Sequence, residues 1–193
     1  MKLIIASNNA HKIKEIKQIL SGKFDTILSL AEAGVVHETV EDGETFVENA
    51  LKKAREISEI TGCATLADDS GLCVNDLDGA PGVYSARFAG ETDPALRDKA
   101  NNDLLLEKLS DSENRTAYFS CAMALVFPDG REVTAEGYMY GNIVESPRGA
   151  AGFGYDPLFL PEGEDCTVAE MSDEEKNLIS HRANALKNLF LKI

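Results

Sequence analysis

The stretch LIIASNNAHKIKEIKQIL, residues 3–20, decides how the fold begins. The apolar run Leu3–Ala6 has the pattern of a buried strand, and apolar residues at helical spacing from Ile13 to Leu20 indicate an amphipathic helix directly after it. Between the two lies Ser7–Asn9, whose side-chain oxygens suit the first turn of a helix. The sequence therefore predicts a strand, a tight polar turn and a helix.

The same patterns predict further strands and helices along the chain. The predicted strands are Phe24–Leu30, Cys63–Ala67, Ala117–Phe127 and Glu132–Val144, and the predicted helices are Phe46–Thr61, Pro94–Leu109 and one continuous helix after a capping box at Ser172–Glu175. The last two strands flank a turn and predict a long hairpin, while the glycine-rich and proline-rich segments Asp78–Arg87 and Pro147–Pro157 predict ordered loops. This mixture predicts a single α/β domain over residues 1–193, with a mixed, curved central sheet and flanking helices that form two lobes around a cleft.

Composition excludes several classes of function. The chain has 33 acidic and 19 basic residues and a formal net charge of −14, so we expect neither nucleic acid nor an anionic membrane as a partner. The longest apolar run, Cys121–Phe127, is far shorter than the roughly 20 residues that span a bilayer. No CxxC pair occurs among the four cysteines, and the first apolar run is too short for a signal peptide. These features predict reduced thiols and a cytoplasmic location.

The polar turn Ser7–Lys12 is the first candidate site. Backbone N–H groups at a helix start, the positive end of the helix and the Lys12 ammonium together suit phosphate groups. The structural alternative is that these residues only cap the helix. The chain has no GxxxxGK[ST] sequence, and Gly152–Pro157 fails the GxGxxG pattern at its last position. Neither a P-loop nor a dinucleotide-binding motif therefore applies.

The second candidate is Asp68-Asp69-Ser70-Gly71, which follows the predicted strand Cys63–Ala67. Adjacent carboxylates at the end of a buried strand repel each other unless a cation or hydrogen-bond donors offset their charge. Oxygen ligands of this type suit Mg²⁺, which binds one or two carboxylates together with substrate phosphates. The preceding loop offers the further carboxylates Glu38, Glu41, Asp42 and Glu44. The alternative is that one of the two aspartates only caps a turn.

The third candidate is Ser180-His181-Arg182 in the predicted terminal helix, with Lys176 upstream of it. The alternative interpretation of such a group is a solvated helix face. His11, His37 and His181 lack HxxxH spacing, which argues against a zinc site. The chain also lacks the G-x-S-x-G sequence of serine hydrolases.

Taken together and in order, these segments resemble the inosine triphosphate pyrophosphatase family, also called the HAM1-like non-canonical purine NTP pyrophosphatases. The matching segments are Ser7–Lys12, Thr45–Ala50 with Lys53, Ala67–Leu72, Gly79–Arg87, Gly152–Pro157, and Glu175–Lys176 followed by Ser180–Arg182. The match runs almost end to end. It implies hydrolysis of ITP, dITP and XTP to the monophosphate and pyrophosphate with Mg²⁺, which removes these nucleotides from the pool. It also implies a homodimer.

The resemblance assigns roles to individual residues. For the triphosphate it implies Ser7, Asn8, Asn9, Ala10, His11, Lys12 and Lys53. Glu41 and Asp69 would bind Mg²⁺, and Asp69 would also accept a proton, although Asp68 remains an alternative base and Glu38 or Glu44 an alternative to Glu41. Ser70 would contact the substrate. For the nucleoside it implies Phe153, Gly154, Tyr155, Asp156, Lys176, His181 and Arg182, with Phe153 stacking on the base.

Base selection follows from hydrogen-bond patterns. Hypoxanthine and xanthine carry a 6-keto acceptor where adenine carries an amino donor, so donors such as Arg182, His181 or backbone N–H groups would reject adenine. We therefore expect Arg182→Ala to raise KM for ITP far more than it changes folding stability.

Two other functions compete with this assignment. One is a Maf-like pyrophosphatase that cleaves other modified or pyrimidine nucleoside triphosphates, and the other is a catalytically silent nucleotide-binding sensor. The segments Phe153–Asp156 and His181–Arg182 favour the inosine-type enzyme over the first. The presence of Asp68, Asp69 and both Lys12 and Lys53 argues against the second.

Overall fold

The computed structural model describes residues 2–193, and the elements of this part of the chain alternate between strands and helices. The strands are β1 (Lys2–Ile5), β2 (Thr26–Ser29), β3 (Ala64–Val74), β4 (Thr116–Val126), β5 (Glu132–Ile143) and β6 (Phe159–Pro161). The α-helices are α1 (Ala10–Ile19), α2 (Phe46–Thr61), α3 (Pro94–Lys108), α4 (Asp173–Ile179) and α5 (His181–Phe190). Short 3₁₀ helices occur at Asn75–Leu77, Gly82–Arg87, Asp156–Leu158 and Val168–Glu170.

The six strands form one mixed sheet in the order β2-β1-β3-β4-β5-β6. Strand β1 pairs in parallel with both β2 and β3, whereas β5 and β6 are antiparallel. Strands β4 and β5 form the predicted hairpin: Phe127 N donates to Arg131 O at one end and Ile143 N donates to Arg115 O at the other, each at 2.9 Å. The predicted α/β class with a mixed sheet is confirmed.

Helix α2 illustrates how local sequence signals determine an element. It begins after Thr45, whose hydroxyl accepts a hydrogen bond from Glu48 N while the Glu48 carboxylate accepts from Thr45 N. It ends at Gly62, which adopts a positive φ of 62°. The predicted bounds Phe46–Thr61 are confirmed.

Strand β3 is longer than the predicted strand Cys63–Ala67. We expected it to end at Ala67 and to present the acidic pair at its terminus, but it continues to Val74, so Asp68 and Asp69 lie inside the strand. Its parallel neighbour β1 ends first, with Ile5 opposite Leu66. The second half of β3 therefore extends past the end of β1 while β4 stays beside it. Asp-Ser-Gly is a typical turn sequence, but pairing in the sheet overrides that local preference.

Two further predictions are wrong at the level of elements. The C-terminal helix is not continuous, because Ser180 takes the extended conformation (φ −63°, ψ 149°) and separates α4 from α5. The segment Asp78–Arg87 is not wholly irregular, since Gly82–Arg87 forms a 3₁₀ helix.

The chain divides into two compact units, each with its own core and each assembled from discontinuous segments. The first unit contains the described residues up to Asp69, together with Cys121–Gly137 and Arg182–Ile193. Its sheet is buried on both faces: Leu3 and Ile5 belong to one cluster with α1 and α5, and Ile4 belongs to another with α2. The second unit contains Ser70–Ser120 and Tyr138–His181. The predictions of a single domain and of a cleft stay predictions.

In the second unit, β6 follows the loop Pro147–Pro157 and is packed directly on β5. A Cβ atom added to Gly141 of β5 would lie 2.2 Å from Leu160 O and 2.8 Å from the Phe159 ring. Only a residue without a side chain lets the two strands approach this closely.

We expect Gly141→Ala to lower the free energy of unfolding by about 1–3 kcal/mol, because the strands must separate to admit the methyl group. Urea denaturation measures the loss. The control is Asn142→Ala at the next, exposed position of β5, for which we expect a change within about 0.5 kcal/mol. Equal effects of the two substitutions would contradict the close-approach argument.

Candidate functional site

The turn before α1 combines a helix cap with a cation. Asn9 Oδ1 accepts hydrogen bonds from His11 N at 2.9 Å and from Lys12 N at 3.2 Å, which satisfies two N–H groups of the first turn. Asn8 Nδ2 donates to His37 O at 3.1 Å, so the turn is also connected to the loop that carries the acidic residues. The capping function of Asn9 is confirmed. The ammonium of Lys12, in the same turn, lies beside the carboxylate of Asp68.

Asp68 and Arg182 form the centre of a buried ionic network in the first unit. Asp68 Oδ2 lies 3.1 Å from Lys12 Nζ and accepts a hydrogen bond from Arg182 Nη2 at 3.0 Å. Arg182 Nη1 donates to the carboxylate of Glu15, a residue of α1. Arg182 is 0% exposed, so the alternative of a solvated helix face is wrong.

These contacts keep the members of the network charged. Burial alone would raise the pKa of Asp68, but the charges of Lys12, Arg182 and Lys53 hold it below its usual value. Burial alone would lower the pKa of Arg182, but Asp68 and Glu15 raise it. The result is an Asp68 carboxylate that stays ionised and is engaged by two cations.

Asp69 belongs to a different group, built with helix α2. Asp69 Oδ2 accepts a hydrogen bond from Asn49 Nδ2 at 3.0 Å, and its Oδ1 lies 3.6 Å from Lys53 Nζ. The same ammonium donates to Glu41 Oε1 at 3.0 Å. Asn49 also holds the acidic loop, because its Oδ1 accepts from Gly43 N at 2.8 Å.

In this second group the pKa of the aspartate shifts in the opposite direction to that of Asp68. Burial raises the pKa of Asp69, and the nearby Glu41 carboxylate adds to this, while Lys53, Lys12 and the Asn49 hydrogen bond partly oppose it. Burial alone would lower the pKa of Lys53, but Asp69, Asp68 and Glu41 raise it, so the ammonium stays protonated. Asp69 is therefore the more basic of the two aspartates.

The alternation of side chains along a strand explains this division. Successive residues of a strand point to opposite faces of the sheet. Leu66 belongs to the cluster that contains α1 and α5, and Ala67 belongs to the cluster that contains α2. Asp68 continues the first series and Asp69 the second. The two adjacent carboxylates are thereby paired with separate sets of cations and donors.

In the second unit, three of the predicted nucleoside residues come together. Lys176 Nζ donates to Asp156 Oδ2 at 2.8 Å and lies 4.8 Å from the centroid of the Phe153 ring. Asp156 Oδ2 also accepts from Phe153 N at 3.0 Å. Gly152 has a φ of +75°, and a Cβ there would lie 2.2 Å from Asp156 Oδ2, so a larger residue would displace the carboxylate. Asp156 thus holds both the backbone of Phe153 and the cation beside its ring.

Two other predicted residues of this unit are occupied by internal contacts. The Tyr155 hydroxyl donates to Ser85 O at 2.8 Å, and burial raises the pKa of Tyr155. The His181 ring is buried and stacks on Phe119 at a centroid distance of 4.8 Å and an angle of 15°. Both side chains therefore make contacts within the second unit that stabilise its packing.

The structure thus groups the predicted site residues into sets. Lys12, Asp68 and Arg182 form one set, Glu41, Lys53 and Asp69 a second, and Phe153, Asp156 and Lys176 a third. The side chains of His11, Glu38 and Glu44 are exposed outside these sets, and Ser70 is half-buried in β3. No group of three or more His, Cys, Asp or Glu side chains within residues 2–193 is arranged to hold a metal ion by itself.

Two residues of these groups, Glu15 and Asn49, were not predicted as site residues. Glu15 lies among the lysines on the polar face of α1 in the sequence, and only the fold reveals that it is buried beside Arg182. Asn49 was quoted in a motif without a role, although an amide one turn before Lys53 on the same helix indicates a second group on that face.

Comparisons with known proteins show which proteins the whole chain is similar to. The model of the Ham1 family matches residues 3–192. The dITP/XTP pyrophosphatase of Geobacter sulfurreducens is 50% identical over 187 residues, covering 96% of this chain and 92% of that protein. The dITP/XTP pyrophosphatase of Bacillus subtilis is 47% identical over 188 residues, covering 96% and 93%. Among solved structures, the Ham1 protein of Staphylococcus aureus has a TM-score of 0.86 and 39% identity, covering 100% of this chain and 98% of that chain.

The burial of Arg182 changes what we expect of its removal. We predict that Arg182→Ala lowers the free energy of unfolding by about 3–5 kcal/mol, because it leaves the Asp68 and Glu15 carboxylates without their shared cation. The burial of Arg182 therefore argues against the expectation that this substitution would raise KM for ITP far more than it changes folding stability. Urea denaturation, followed by circular dichroism, measures the change.

The control is Arg55→Ala, which removes a guanidinium that donates to Glu132 at 2.6 and 2.7 Å on the surface. Arg55 is exposed, so we expect a loss of only about 0.2–1 kcal/mol. A loss at Arg182 no larger than that at Arg55 would contradict the role of the buried network.

Proposed function

The chain belongs to the Ham1 family, and from this premise we propose that it is a pyrophosphatase of non-canonical purine nucleoside triphosphates. It hydrolyses ITP, dITP and XTP to the nucleoside monophosphate and pyrophosphate. The observation that carries the proposal is the match with relatives named dITP/XTP pyrophosphatase, which extends over 96% of this chain at 50% and 47% identity. The predicted family is confirmed by the same match.

The first unit supplies the groups for the phosphates. Hydrolysis joins a water oxygen to the α-phosphorus and breaks the bond to the bridging oxygen, so that negative charge develops on the departing pyrophosphate. Lys12 and Lys53 are cations that offset such charge, and both lie beside the aspartates of β3. The positive end of helix α1 adds a favourable field for phosphate oxygens.

Asp69 is the proton acceptor of this reaction. A general base must be ionised, yet basic enough to take a proton from water. Asp68 is held by Lys12 and Arg182, and its pKa is lowered, which makes it a poor base. The pKa of Asp69 is raised by burial and by Glu41. This difference supports Asp69 as the base and leaves Asp68 the task of fixing the two cations.

Glu41 and Asp69 would hold Mg²⁺. The donor set fits this ion, because two carboxylates lie around the single ammonium of Lys53, and Mg²⁺ completes its octahedron with water and substrate phosphates. Two carboxylates beside one ammonium leave an excess of negative charge, which a divalent cation offsets. When bound, the ion supplies a Lewis acid for the phosphoryl oxygens.

The second unit supplies the groups for the nucleoside. The Phe153 ring offers a flat surface for the base, and Lys176 and Asp156 offer a donor and an acceptor next to it. Arg182 donates to Glu15 and Asp68, so its part in base recognition would be electrostatic support from within the first unit.

The remaining proposals concern the state of the enzyme. We propose a homodimer, as the family resemblance implies, and a cytoplasmic location. The four cysteines, Cys63, Cys73, Cys121 and Cys166, are all free, which supports a reducing compartment. Among the helices of residues 2–193, none combines the length and the apolar composition of a membrane-spanning segment. Light scattering that gives the 20.9 kDa mass of a monomer would contradict the dimer.

A substrate panel tests the function. We expect ITP, dITP and XTP to be hydrolysed at least about tenfold faster, as kcat/KM, than GTP, ATP and dTTP, because a site built to pair with one base penalises the others. Monophosphate and pyrophosphate are quantified with Mg²⁺ and with a chelator, which should abolish turnover. Release of orthophosphate, or faster turnover of GTP or dTTP, would overturn the proposal.

The same assay, with ITP as the substrate, is applied to two variants of the protein in which a carboxylate is replaced. Asp69→Asn should reduce kcat by about 10²–10⁴-fold, the usual contribution of a positioned base. The matched control is Asp42→Asn, which alters an exposed carboxylate of the acidic loop that pairs with Lys52, and it should retain activity.

A further inference from the structure

Helix α3 holds the loop that carries Phe153 by two hydrogen bonds to one glycine. Asp98 Oδ2 accepts from Gly154 N at 2.7 Å, and Asn102 Nδ2 donates to Gly154 O at 3.0 Å. Asp98 and Asn102 are four residues apart on α3 and therefore lie on the same face of the helix. One helix face thus satisfies both the N–H and the C=O of Gly154.

The two bonds fix different peptide planes. The N–H of Gly154 belongs to the peptide that joins it to Phe153, and its C=O belongs to the peptide that joins it to Tyr155. The peptide on the other side of Phe153 is fixed as well, because Phe153 N donates to Asp156 at 3.0 Å. Both peptides that flank Phe153 therefore end on a carboxylate, and its backbone dihedral angles are determined from both sides.

The side chain of Asn102 is buried at a cost in folding stability. It is only 9% exposed, and its Oδ1 has no hydrogen-bond partner in the part of the chain that the structure describes. Its neighbour Asn101 differs, since Asn101 Oδ1 accepts from Ala89 N at 2.8 Å and its Nδ2 donates to Ser85 O at 3.2 Å. A buried amide with a hydrogen bond at its nitrogen but none at its oxygen lowers folding stability. We therefore assign the role of Asn102 to the hydrogen bond from its Nδ2 to Gly154 O.

Gly154 needs this external support. It adopts a φ of +60°, and no atom lies within 4 Å of a Cβ built on it, so nothing packs against that side of the residue. A glycine in such a position has wide conformational freedom, and rotation of its peptides would turn the adjacent Phe153 ring. The hydrogen bonds from α3 remove that freedom.

We propose that Asp98 and Asn102 are positioning residues for nucleoside recognition: they hold the Phe153–Gly154 peptide in the conformation in which the Phe153 ring stacks on the base. The proposal rests on the proposed function, because it assumes that the base stacks on Phe153. Asp98 and Asn102 act through the loop and do not contact the phosphates. Their effect is therefore confined to the affinity for the nucleoside.

The central test compares two substitutions of one side chain. Asp98→Ala removes the acceptor and should raise KM for ITP about tenfold with less than about a twofold change in kcat. Asp98→Asn keeps an oxygen acceptor for Gly154 N and should restore most of the wild-type KM. The control is Asp103→Ala on the same helix, whose exposed carboxylate pairs only with Lys99 among the described contacts, and it should leave KM unchanged.

A second readout separates nucleoside from phosphate. Inorganic tripolyphosphate lacks a base, so its inhibition constant should be the same for wild type and Asp98→Ala. A parallel rise in this constant and in KM would overturn the proposal, because the lesion would then be general. An unchanged KM in Asp98→Ala, or an equal rise in Asp103→Ala, would overturn it as well.

A double-mutant cycle shows whether Asp98 acts through Phe153. The double variant Asp98→Ala/Phe153→Ala should have the same KM as Phe153→Ala alone, because a ring that is absent needs no positioning. Fully additive effects would contradict the proposal. Asn102→Leu, which removes the donor without leaving a cavity, should raise KM in the same direction while the urea midpoint stays at or above that of wild type.

Hydrogen exchange distinguishes this inference from the proposed function. Faster exchange of the Gly154 amide in Asp98→Ala than in Asp103→Ala is expected whatever the substrate. If the wild-type protein releases no pyrophosphate from ITP, the proposed function is wrong. If it does so and the Asp98→Ala variant has wild-type KM and wild-type exchange, only the positioning role is wrong.

Discussion

The first unit depends on one buried guanidinium. Arg182 of α5 bonds to Asp68 of β3 and to Glu15 of α1, so the end of the chain, the central strand and the first helix meet at a single cation. Charges taken out of water must be balanced by close partners, or the group would be neutral or the site unfolded. With Lys12, the network has two cations and two carboxylates. This balance keeps Asp68 ionised and holds Lys12 beside it.

The consecutive aspartates show how a strand creates two environments from one sequence motif. Because β3 extends past the end of β1, both carboxylates lie where a parallel neighbour is no longer beside them. Because side chains alternate, Asp68 faces the cations of α1 and α5 and Asp69 faces Lys53 and Asn49 of α2. The pKa of Asp68 is lowered and that of Asp69 raised. Opposite shifts in neighbouring carboxylates are a common way to divide structural and catalytic work.

In the second unit, hydrogen bonds to the backbone fix the loop that carries Phe153. Asp156 holds the N–H of Phe153 and the ammonium of Lys176, and residues of α3 hold Gly154. The loop is rich in glycine, so it adopts conformations that other residues avoid, and two carboxylates and an amide fix the peptides around Phe153. Rigid support of this kind lowers the entropy that ligand binding would otherwise cost.

The sequence by itself determined the elements with strong local signals. These include α2 with its capping box at Thr45 and its glycine end, the Asn9 cap, the hairpin, and the family to which six ordered motifs pointed. Tertiary structure alone decided that β3 continues through Asp68, that Ser180 breaks the last helix and that Glu15 is buried. Two of these depend on partners distant in sequence: a neighbouring strand for β3, and Arg182 for Glu15, 167 positions away. Local propensity is worth tenths of a kcal/mol per residue, whereas pairing in a sheet or neutralising a buried charge is worth several, so the distant partner prevails.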